Sequence, residues 1–261
     1  MSADPRPVVL VTGSARRVGR AIALDLAAHG HDLALHTHRH AEEAADTLRE
    51  LRALGARAQV FVADLADEAA CRALLPAVVG GLGRVDAVVN NASLFEHDDV
   101  ASFGHAAMAM HWQVNVAAPV LLAQALHRHL EGRARRGCVV NLLDQKLWNP
   151  NPDHLSYTLS KAALEAATTL LAQALAPRVR VVGVAPGITL PSGPMDEAEF
   201  ARAHAMTPLG RGATPDDIAH AVRFLIESPA VTGTTLLVDG GQHLAAQPRD
   251  VLYLARQEMS T

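Results

Sequence analysis

The sequence predicts an α/β fold in which a parallel sheet is covered by helices on both faces. Short apolar segments alternate along the chain with longer segments whose apolar residues recur at helical spacing. The short segments are apolar throughout, which is typical of strands buried on both faces of a parallel sheet. The chain has 261 residues, of which 49% are hydrophobic and 19% are charged. We therefore predict a single domain over residues 1–261.

Strands and helices are expected in strict alternation. Short aliphatic runs predict seven strands, over residues 8–12, 32–36, 59–62, 86–90, 137–143, 180–184 and 235–238. Apolar residues three and four apart predict six helices, over residues 17–29, 41–54, 67–79, 106–131, 156–176 and 215–227. Gly30, Gly55 and Pro177 follow three of these helices, as residues that end helices do. The helix over 106–131 is long enough to contain a break.

Two segments lack this regularity. Residues 188–213 are rich in proline and glycine and follow the sixth predicted strand. Ligands bind at the carboxyl ends of strands in such sheets, so we interpret this segment as a substrate lid. Leu190, Ser192 and Met195 are its candidate pocket residues. The tail over residues 242–261 has no assigned role, although it could reach a neighbouring active site.

Composition and charge narrow the classes of function. The net charge of −4 gives no reason to expect a nucleic acid or an acidic membrane as partner. Cys71 and Cys138 are too few for a disulfide framework. No apolar segment approaches the length that crosses a bilayer, and the first residues lack the pattern of a secretion signal. We therefore expect a cytoplasmic enzyme.

A glycine-rich turn, within VTGSARRVGRAIA, joins the first strand to the first helix. Gly13 permits the tight turn, and Gly19 lets the helix pack close to the strand. The free N–H groups of the helix N-terminus can then bind a pyrophosphate. The turn residues Arg16, Arg17 and Val18 are therefore candidate contacts of a dinucleotide.

The end of the second strand indicates which dinucleotide binds. Enzymes that use NAD place an acidic residue here to hold the ribose 2′-hydroxyl, but this chain has none before Glu42. Arg39 and Arg16 can neutralise a 2′-phosphate, and His38 and His40 flank Arg39, so NADPH is favoured over NADH. His36, His38 and His40 also alternate as metal ligands on one strand face would. We rank that alternative lower because no carboxylate or thiolate follows at ligand spacing.

Further candidate cofactor contacts follow the next two strands. Asp64, with its neighbour Leu65, ends the third strand, where a carboxylate can accept a hydrogen bond from the adenine amino group. Alternatively, Asp64 caps the next helix. Asn91 and Ala92 follow the fourth strand, where they would border the cofactor ribose.

Tyr157 and Lys161 lie four residues apart at the start of the fifth predicted helix, so they share one face. A phenol has a pKa near 10, and a neighbouring ammonium is expected to lower it. Such a pair suits a general acid that donates a proton during hydride reduction.

These residues together resemble the short-chain dehydrogenase/reductase family over nearly the whole chain, from Val8 to Gly241. The matching positions are TGSARRVG, NNAS, Asn115, Tyr157, Lys161, Ala185-Pro186-Gly187 and Val238-Asp239-Gly240-Gly241. The resemblance implies a Rossmann-type doubly wound domain with strand order 3-2-1-4-5-6-7 and cofactor contacts at Pro186 and Gly187. It also implies that Asn115 helps to hold a water that links Lys161 to a proton relay. Alternatively, Asn115 is a polar residue that bends a helix.

The family resemblance also implies a homotetramer. The predicted helix over 156–176 has small residues on its surface, which allow subunits to pack closely. These residues are Ala162, Ala163, Ala166 and Ala167.

Two departures from the usual family pattern point to a subgroup. Arg17 replaces a glycine, and Asp144 replaces a serine thirteen residues before Tyr157. Together with His38-Arg39 and the segment 91–95 (NASLF), these residues resemble the pteridine reductases, including bacterial dihydromonapterin and dihydrofolate reductases of this fold.

The subgroup resemblance implies specific roles. Phe95 would stack on a pterin and hold it against the nicotinamide, and Ser93 and Arg17 would contact the pterin and the cofactor phosphates. Asp144 and Tyr157 would form the pair that donates a proton. Alternatively, Phe95 is a core residue and Asp144 a turn or cap residue. Trp148 could either wall the pocket or fix its loop.

Three hypotheses follow. The first is NADPH-dependent reduction of a pterin or dihydrofolate ring, since reducing a ring C=N requires both a hydride and a proton. The second is reduction of a ketone or 3-oxoacyl group, with Asp144 in place of the serine. The third is a non-catalytic protein that senses NADPH. Tyr157, Lys161 and Asn115 argue against the third, while Arg17 and Asp144 argue against the second.

Overall fold

Seven parallel strands form one sheet in the order β3-β2-β1-β4-β5-β6-β7. This computed structural model describes residues 6–191, 195–251, 253 and 254. The strands are β1 Val8–Val11, β2 Asp32–Thr37, β3 Ala58–Val62, β4 Ala87–Asn90, β5 Gly137–Leu142, β6 Val179–Pro186 and β7 Thr235–Val238. The predicted fold class and strand order are therefore confirmed.

Helices cover both faces of the sheet. They are α1 Arg17–Ala28, α2 Ala45–Ala53, α3 Glu68–Leu82, α4 His105–Trp112, α5 Ala118–His129, α6 Leu155–Ala174, α7 Glu197–Ala205 and α8 Pro215–Glu227. Short 3-10 turns precede α2, follow β5 and follow β7, over Ala41–Ala44, Gln145–Leu147 and Gln242–Leu244.

The core consists of two layers, one on each side of the sheet. Successive residues of β1 alternate between them, with Val9 and Val11 facing α1, α2 and α8, and Val8 and Leu10 facing α3, α5 and α6. All four β1 residues are fully buried. This explains why the strands are apolar throughout, since neither face of the central sheet meets water.

Two helices differ from their predicted bounds, and a third was not predicted. The segment predicted as a helix over 41–54 begins as a 3-10 turn, and α2 starts only at Ala45. Helix α3 continues past the predicted end at 79 to Leu82, because Gly83 ends it with a φ of 85°. Helix α7, inside the predicted lid, was not predicted at all; Asp196 caps it by accepting the Glu199 N–H.

The helix predicted over 106–131 does contain a break. A π-helical turn at Gln113–Ala117 separates α4 from α5. The segment His105–His129 is long and apolar enough to cross a membrane by length and composition, so the prediction that no such segment exists is wrong. However, its Leu122 and Leu126 are fully buried in the core layer with α3. A core helix can be as apolar as a membrane helix.

Candidate active site

A cleft of about 200 Å³ opens at the carboxyl ends of the strands. The loops after β5 and β6 and the C-terminal tail supply most of its wall. It is lined by Arg17, Val18, Phe95, Asp144, Gln145, Lys146, Gly187, Ile188, Thr189, Leu190, Met195, Gln242, Asp250 and Val251. The predicted pocket residues Leu190 and Met195 therefore line the cleft, whereas Ser192 lies outside the described residues. Trp148 does not line it.

Asp144 lines the cleft and is in direct contact with Tyr157, which is buried beside it and is not itself among the lining residues. The phenol of Tyr157 donates a hydrogen bond to Asp144 Oδ2 over 2.7 Å. The other carboxylate oxygen of Asp144 accepts the N–H of Lys146 over 2.8 Å and so caps the 3-10 turn after β5. Asp144 therefore has both of the contacts that were weighed as alternatives: it caps a turn, and it is the hydrogen-bond partner of Tyr157.

Burial is the main cause of the shifted pKa values of Asp144 and Tyr157. Burial raises the pKa of the Asp144 carboxyl, and burial together with the Asp144 charge raises the pKa of Tyr157 well above its ordinary value. The prediction that Lys161 lowers the pKa of Tyr157 is therefore wrong. Lys161 Nζ donates instead to the Leu142 carbonyl over 2.7 Å and lies 5.6 Å from the centroid of the Tyr157 ring.

Lys161 is also affected by burial, which lowers its pKa to about 8. At neutral pH the ammonium and the protonated phenol coexist. Tyr157 is therefore held in its acid form, and Lys161 provides the positive charge beside it. This combination suits proton donation to a substrate atom.

Asn115 lies in the π-helical turn, and its side chain joins three segments of the site. Its amide donates to the Leu94 carbonyl and to Ser160 Oγ, each over 3.0 Å, and its Oδ1 accepts the Leu94 N–H over 2.8 Å. Ser93 Oγ also reaches Oδ1, over 3.3 Å. Asn115 therefore fixes the segment before Phe95 against α6, and it also lies at the break between α4 and α5.

Phe95 is not a core residue. Its side chain is 42% exposed and lines the cleft. One ring face stacks on His154 with centroids 4.2 Å apart, and the Phe95 and Tyr157 rings are nearly perpendicular with centroids 4.7 Å apart. A flat ring whose back is supported in this way can serve as a platform for a flat substrate.

The glycine-rich turn is held by His36, a contact that sequence reasoning missed. The N–H of Gly13 donates to His36 Nδ1 over 3.1 Å, and the opposite ring nitrogen, Nε2, contacts the Ala63 carbonyl at 3.0 Å. These contacts require a neutral imidazole with its proton on Nε2. Burial lowers the pKa of His36 in agreement with that form. The sequence did contain an indication of this contact, because His36 is a polar residue within the otherwise apolar end of the buried strand DLALH.

Two further residues shape the same turn. Asn91 Nδ2 donates to the carbonyls of Thr12 and Gly13, and Ala92 packs directly against Gly13. Asn91 and Ala92 thus lie beside the turn, and their predicted contact with the cofactor ribose stays a prediction. Arg16 is exposed at the start of α1, and Val18 lines the cleft.

Replacing Gly19 with Ala is expected to lower the free energy of unfolding by about 1–3 kcal/mol. A Cβ atom here would lie 2.3 Å from the Gly13 carbonyl oxygen and 2.6 Å from Asn91 Nδ2. Denaturant unfolding measures the loss. The matched control is Gly80→Ala in α3, where a Cβ meets nothing within 4 Å, so stability should hold or rise. Equal effects of the two substitutions would contradict this packing argument.

Arg17 adopts a backbone conformation that favours glycine, with a φ of 55°. This explains why a glycine is usual at this position, and an arginine here costs about 1–3 kcal/mol. Its guanidinium donates to the Pro191 carbonyl over 2.9 Å and lines the cleft. The strained residue thus supplies a positive charge where the turn and the lid segment meet.

The residues that follow β2 and β3 lie side by side at the predicted adenosine site. His38 Nε2 lies 3.5 Å from Asp64 Oδ1, and Arg39 and His40 are exposed beside them. The alternative role of Asp64 as the cap of α3 is wrong, because Asp67 accepts the cap hydrogen bond from Ala69. Asp64 accepts the Ala66 N–H instead.

The remaining predictions in this region have mixed outcomes. The three histidines do not share one strand face, since β2 ends at Thr37 with His36 buried and His38 exposed. Within residues 6–191, 195–251, 253 and 254, no cluster of potential metal ligands is present. The Leu65 side chain is buried in the core layer, and the cofactor contact predicted for this residue stays a prediction. Pro186 ends β6, and Gly187 lines the cleft.

The C-terminal tail contributes to the cleft of its own chain. Asn149, in the loop before α6, donates to the Ala245 carbonyl over 2.6 Å. Farther along the tail, Arg249 Nε donates to Asp153 Oδ2 over 2.8 Å. Asp250 and Val251 then line the cleft. Sequence reasoning did not predict this arrangement.

Comparisons with known proteins agree with this geometry. Residues 13–243 match the family described as enoyl-(acyl carrier protein) reductase. The structure of FolM alternative dihydrofolate reductase 1 from Brucella canis, complexed with NADP, is 40% identical with a TM-score of 0.86, covering 94% of this chain and 97% of that one.

Relatives with other names are similar at lower identity. A protein named as a ketoacyl reductase of the granaticin polyketide synthase of Streptomyces violaceoruber is 35% identical over 93% of this chain and 98% of its own. Pteridine reductase 1 of Leishmania tarentolae is 31% identical over 91% of this chain and 96% of its own. The names vary, so the choice among substrates depends on the residues of the cleft.

Proposed function

The chain belongs to the short-chain dehydrogenase/reductase family, and we propose that it uses NADPH to reduce a pterin-type ring, from the dihydro to the tetrahydro form. The hydrogen bond between Tyr157 and Asp144 carries this proposal. A serine at position 144 would suffice to bind a carbonyl oxygen. Burial raises the pKa of the Asp144 carboxyl, so it takes up a proton more readily than an exposed carboxyl and can pass that proton to Tyr157.

The residues of the dinucleotide site fit NADPH. The N-terminus of α1 follows the glycine-rich turn and offers N–H groups to phosphate. Arg39, with Arg16, can hold a 2′-phosphate, and the NADP-bound structure of FolM from Brucella canis supports this choice. When bound, NADPH supplies the hydride.

The chain's own residues would handle the proton and the ring. Phe95 supports one face of the flat substrate, backed by His154. Tyr157 donates its proton to the ring nitrogen of the C=N bond while the adjacent carbon receives the hydride. Asp144 then returns a proton to the phenol through their 2.7 Å hydrogen bond. Lys161 stabilises the phenolate that exists between these two transfers.

A substrate panel tests this function. Purified protein with NADPH is offered dihydrobiopterin, dihydromonapterin, dihydrofolate and a set of ketones, including a 3-oxoacyl thioester, and NADPH consumption is followed by absorbance. We expect consumption with the pterins. Consumption with ketones alone would instead support the second hypothesis, which the ketoacyl reductase relative represents. Tight NADPH binding without any turnover would support a sensor.

Replacing Arg39 with Ala is expected to raise the KM for NADPH about tenfold, because a charged hydrogen bond to the 2′-phosphate is lost. The KM for NADH, which lacks that phosphate, should not change. Steady-state kinetics with both cofactors measure the two constants. Arg49→Ala, which removes another exposed arginine, is the matched control. A parallel loss with NADH would show that Arg39 does not read the phosphate.

We also propose a homotetramer with two-fold interfaces. Leu159 and Leu170 on α6 are 45% and 64% exposed, and Ala162 and Ala166 lie exposed between them. Such an apolar helix face suits packing against a second copy. Light scattering is expected to give about four times the chain mass of 27.6 kDa. A monomeric mass would refute the assembly.

A further inference from the structure

We propose that Gln145 and Asp250 determine substrate specificity by accepting hydrogen bonds from an N–H-bearing edge of the substrate ring, such as that of a 2-amino-4-oxopyrimidine. The inference rests on the proposed function and extends it to the choice among heterocycles. Both residues line the cleft that contains Asp144 and Phe95. They come from distant parts of the chain, the loop after β5 and the C-terminal tail.

Gln145 presents a buried acceptor that the protein leaves without a donor. Its side chain is 7% exposed, and no group among the described residues donates to its Oε1. A buried amide oxygen without a hydrogen bond is costly, and native proteins seldom keep one without a reason. Oε1 itself is covered in this structure, but Gln145 lines the cleft, so rotation of its side-chain amide would bring this oxygen to an N–H group of a bound ligand.

Asp250 places a carboxylate on the same cleft wall. Its side chain is 19% exposed and lies 3.4 Å from the buried ammonium of Lys146. Its negative charge is close enough to the reacting pair to contribute to the raised pKa values of Asp144 and Tyr157. A substrate that presents N–H donors to this region would therefore meet several acceptor oxygens.

The position of Asp250 is fixed by contacts with the loop before α6. Its backbone N–H donates to Asp153 Oδ2 over 2.8 Å, and Arg249 Nε donates to the same oxygen over 2.8 Å. Asp153 is 4% exposed, so its carboxylate is shielded from water, whereas the Arg249 side chain is 43% exposed. The tail therefore holds its carboxylate in a defined place before substrate binds, which reduces the entropic cost of recognition.

The chemistry of this wall selects one substrate class. A 2-amino-4-oxopyrimidine ring carries an amino group and a ring N–H side by side, and a carboxylate can accept both at once. A simple ketone or a 3-oxoacyl group has no such edge, so Gln145 Oε1 would stay without a donor when it binds. Discrimination of this kind is strong because the mismatched complex leaves a buried polar group unpaired.

The test compares 7,8-dihydropterin with 7,8-dihydrolumazine, which has an oxygen in place of the 2-amino group. For Asp250→Asn we expect the KM for dihydropterin to rise about tenfold, while the KM for dihydrolumazine stays constant. Gln145→Leu, which keeps the size of the side chain without its acceptor, should reduce the same preference. Asp216→Asn, an exposed carboxylate of α8 that does not line the cleft, is the matched control.

The outcomes separate this inference from the proposed function. If the unmodified protein reduces neither heterocycle, the proposed function fails. If it reduces dihydropterin and both variants keep its preference over dihydrolumazine, only the roles of Gln145 and Asp250 are overturned. NADPH titration of each variant establishes that it is folded. If one variant binds no NADPH, the preference of the other variant for dihydropterin over dihydrolumazine decides whether the inference holds.

Discussion

Replacing Tyr157 with Phe is expected to lower kcat for dihydropterin reduction by about 10²- to 10⁴-fold, the contribution that a general acid makes. The substitution removes the hydroxyl that donates to Asp144 and leaves the ring, which packs nearly perpendicular to Phe95. Substrate stacking and cofactor binding should therefore persist. Stopped-flow measurement of NADPH oxidation and NADPH titration by fluorescence check the two parts separately.

The chain offers a matched control, because Tyr253 is its other tyrosine. Tyr253→Phe also removes one phenol hydroxyl, from a ring that packs against the Arg249 guanidinium 4.8 Å from its centroid. Its kcat should stay near that of the unmodified protein. If Tyr157→Phe kept its turnover, the proton would have to come from another group, and the mechanism proposed for the pair would be wrong.

Replacing Asp144 with Ser is the second change with a large expected effect. We expect kcat for dihydropterin to fall about 10²-fold while NADPH affinity is kept. A serine can accept the phenol hydrogen bond but cannot resupply a proton as a carboxyl with a raised pKa does. Steady-state kinetics with dihydropterin and with the ketone set measure the change.

Asp144→Asn serves as the control for shape. Asparagine has a single side-chain oxygen, which can keep the hydrogen bond from the Lys146 N–H, while its Nδ2 takes the place of the oxygen that accepts from Tyr157. It cannot exchange a proton near neutral pH. We expect Asn and Ser to lower pterin turnover alike. Unchanged turnover in the asparagine variant would assign Asp144 a purely structural role as the cap of its turn.

Sequence patterns predicted most of the fold because they report local physics. Strands such as β1 are apolar throughout since both faces of a parallel sheet are covered. Gly13 and Gly19 marked the dinucleotide turn by their spacing. The less regular helices were harder to bound. Helix α7, for example, has a weak apolar pattern and begins at a capping box that sequence reasoning overlooked.

The candidate site was predicted in part. Asp144, Tyr157 and Lys161 lie within a short stretch of sequence, and their spacing placed them together. The direction of the Tyr157 pKa could not be predicted, because it depends on burial and on where Lys161 Nζ points. The role of His36 could not be predicted either. In the sequence it is one of three alternating histidines, whereas in the structure its ring accepts the hydrogen bond from the Gly13 N–H.

The sequence by itself thus determined the sheet, the glycine-rich turn and the spacing of Asp144, Tyr157 and Lys161. Each of these depends on residues that are near one another in the chain. The tertiary structure alone decided that Asp250 and Gln145 line one cleft and that Lys161 binds the Leu142 carbonyl. Such contacts join distant segments, and the burial they create sets the pKa values, so neither can be read from local sequence.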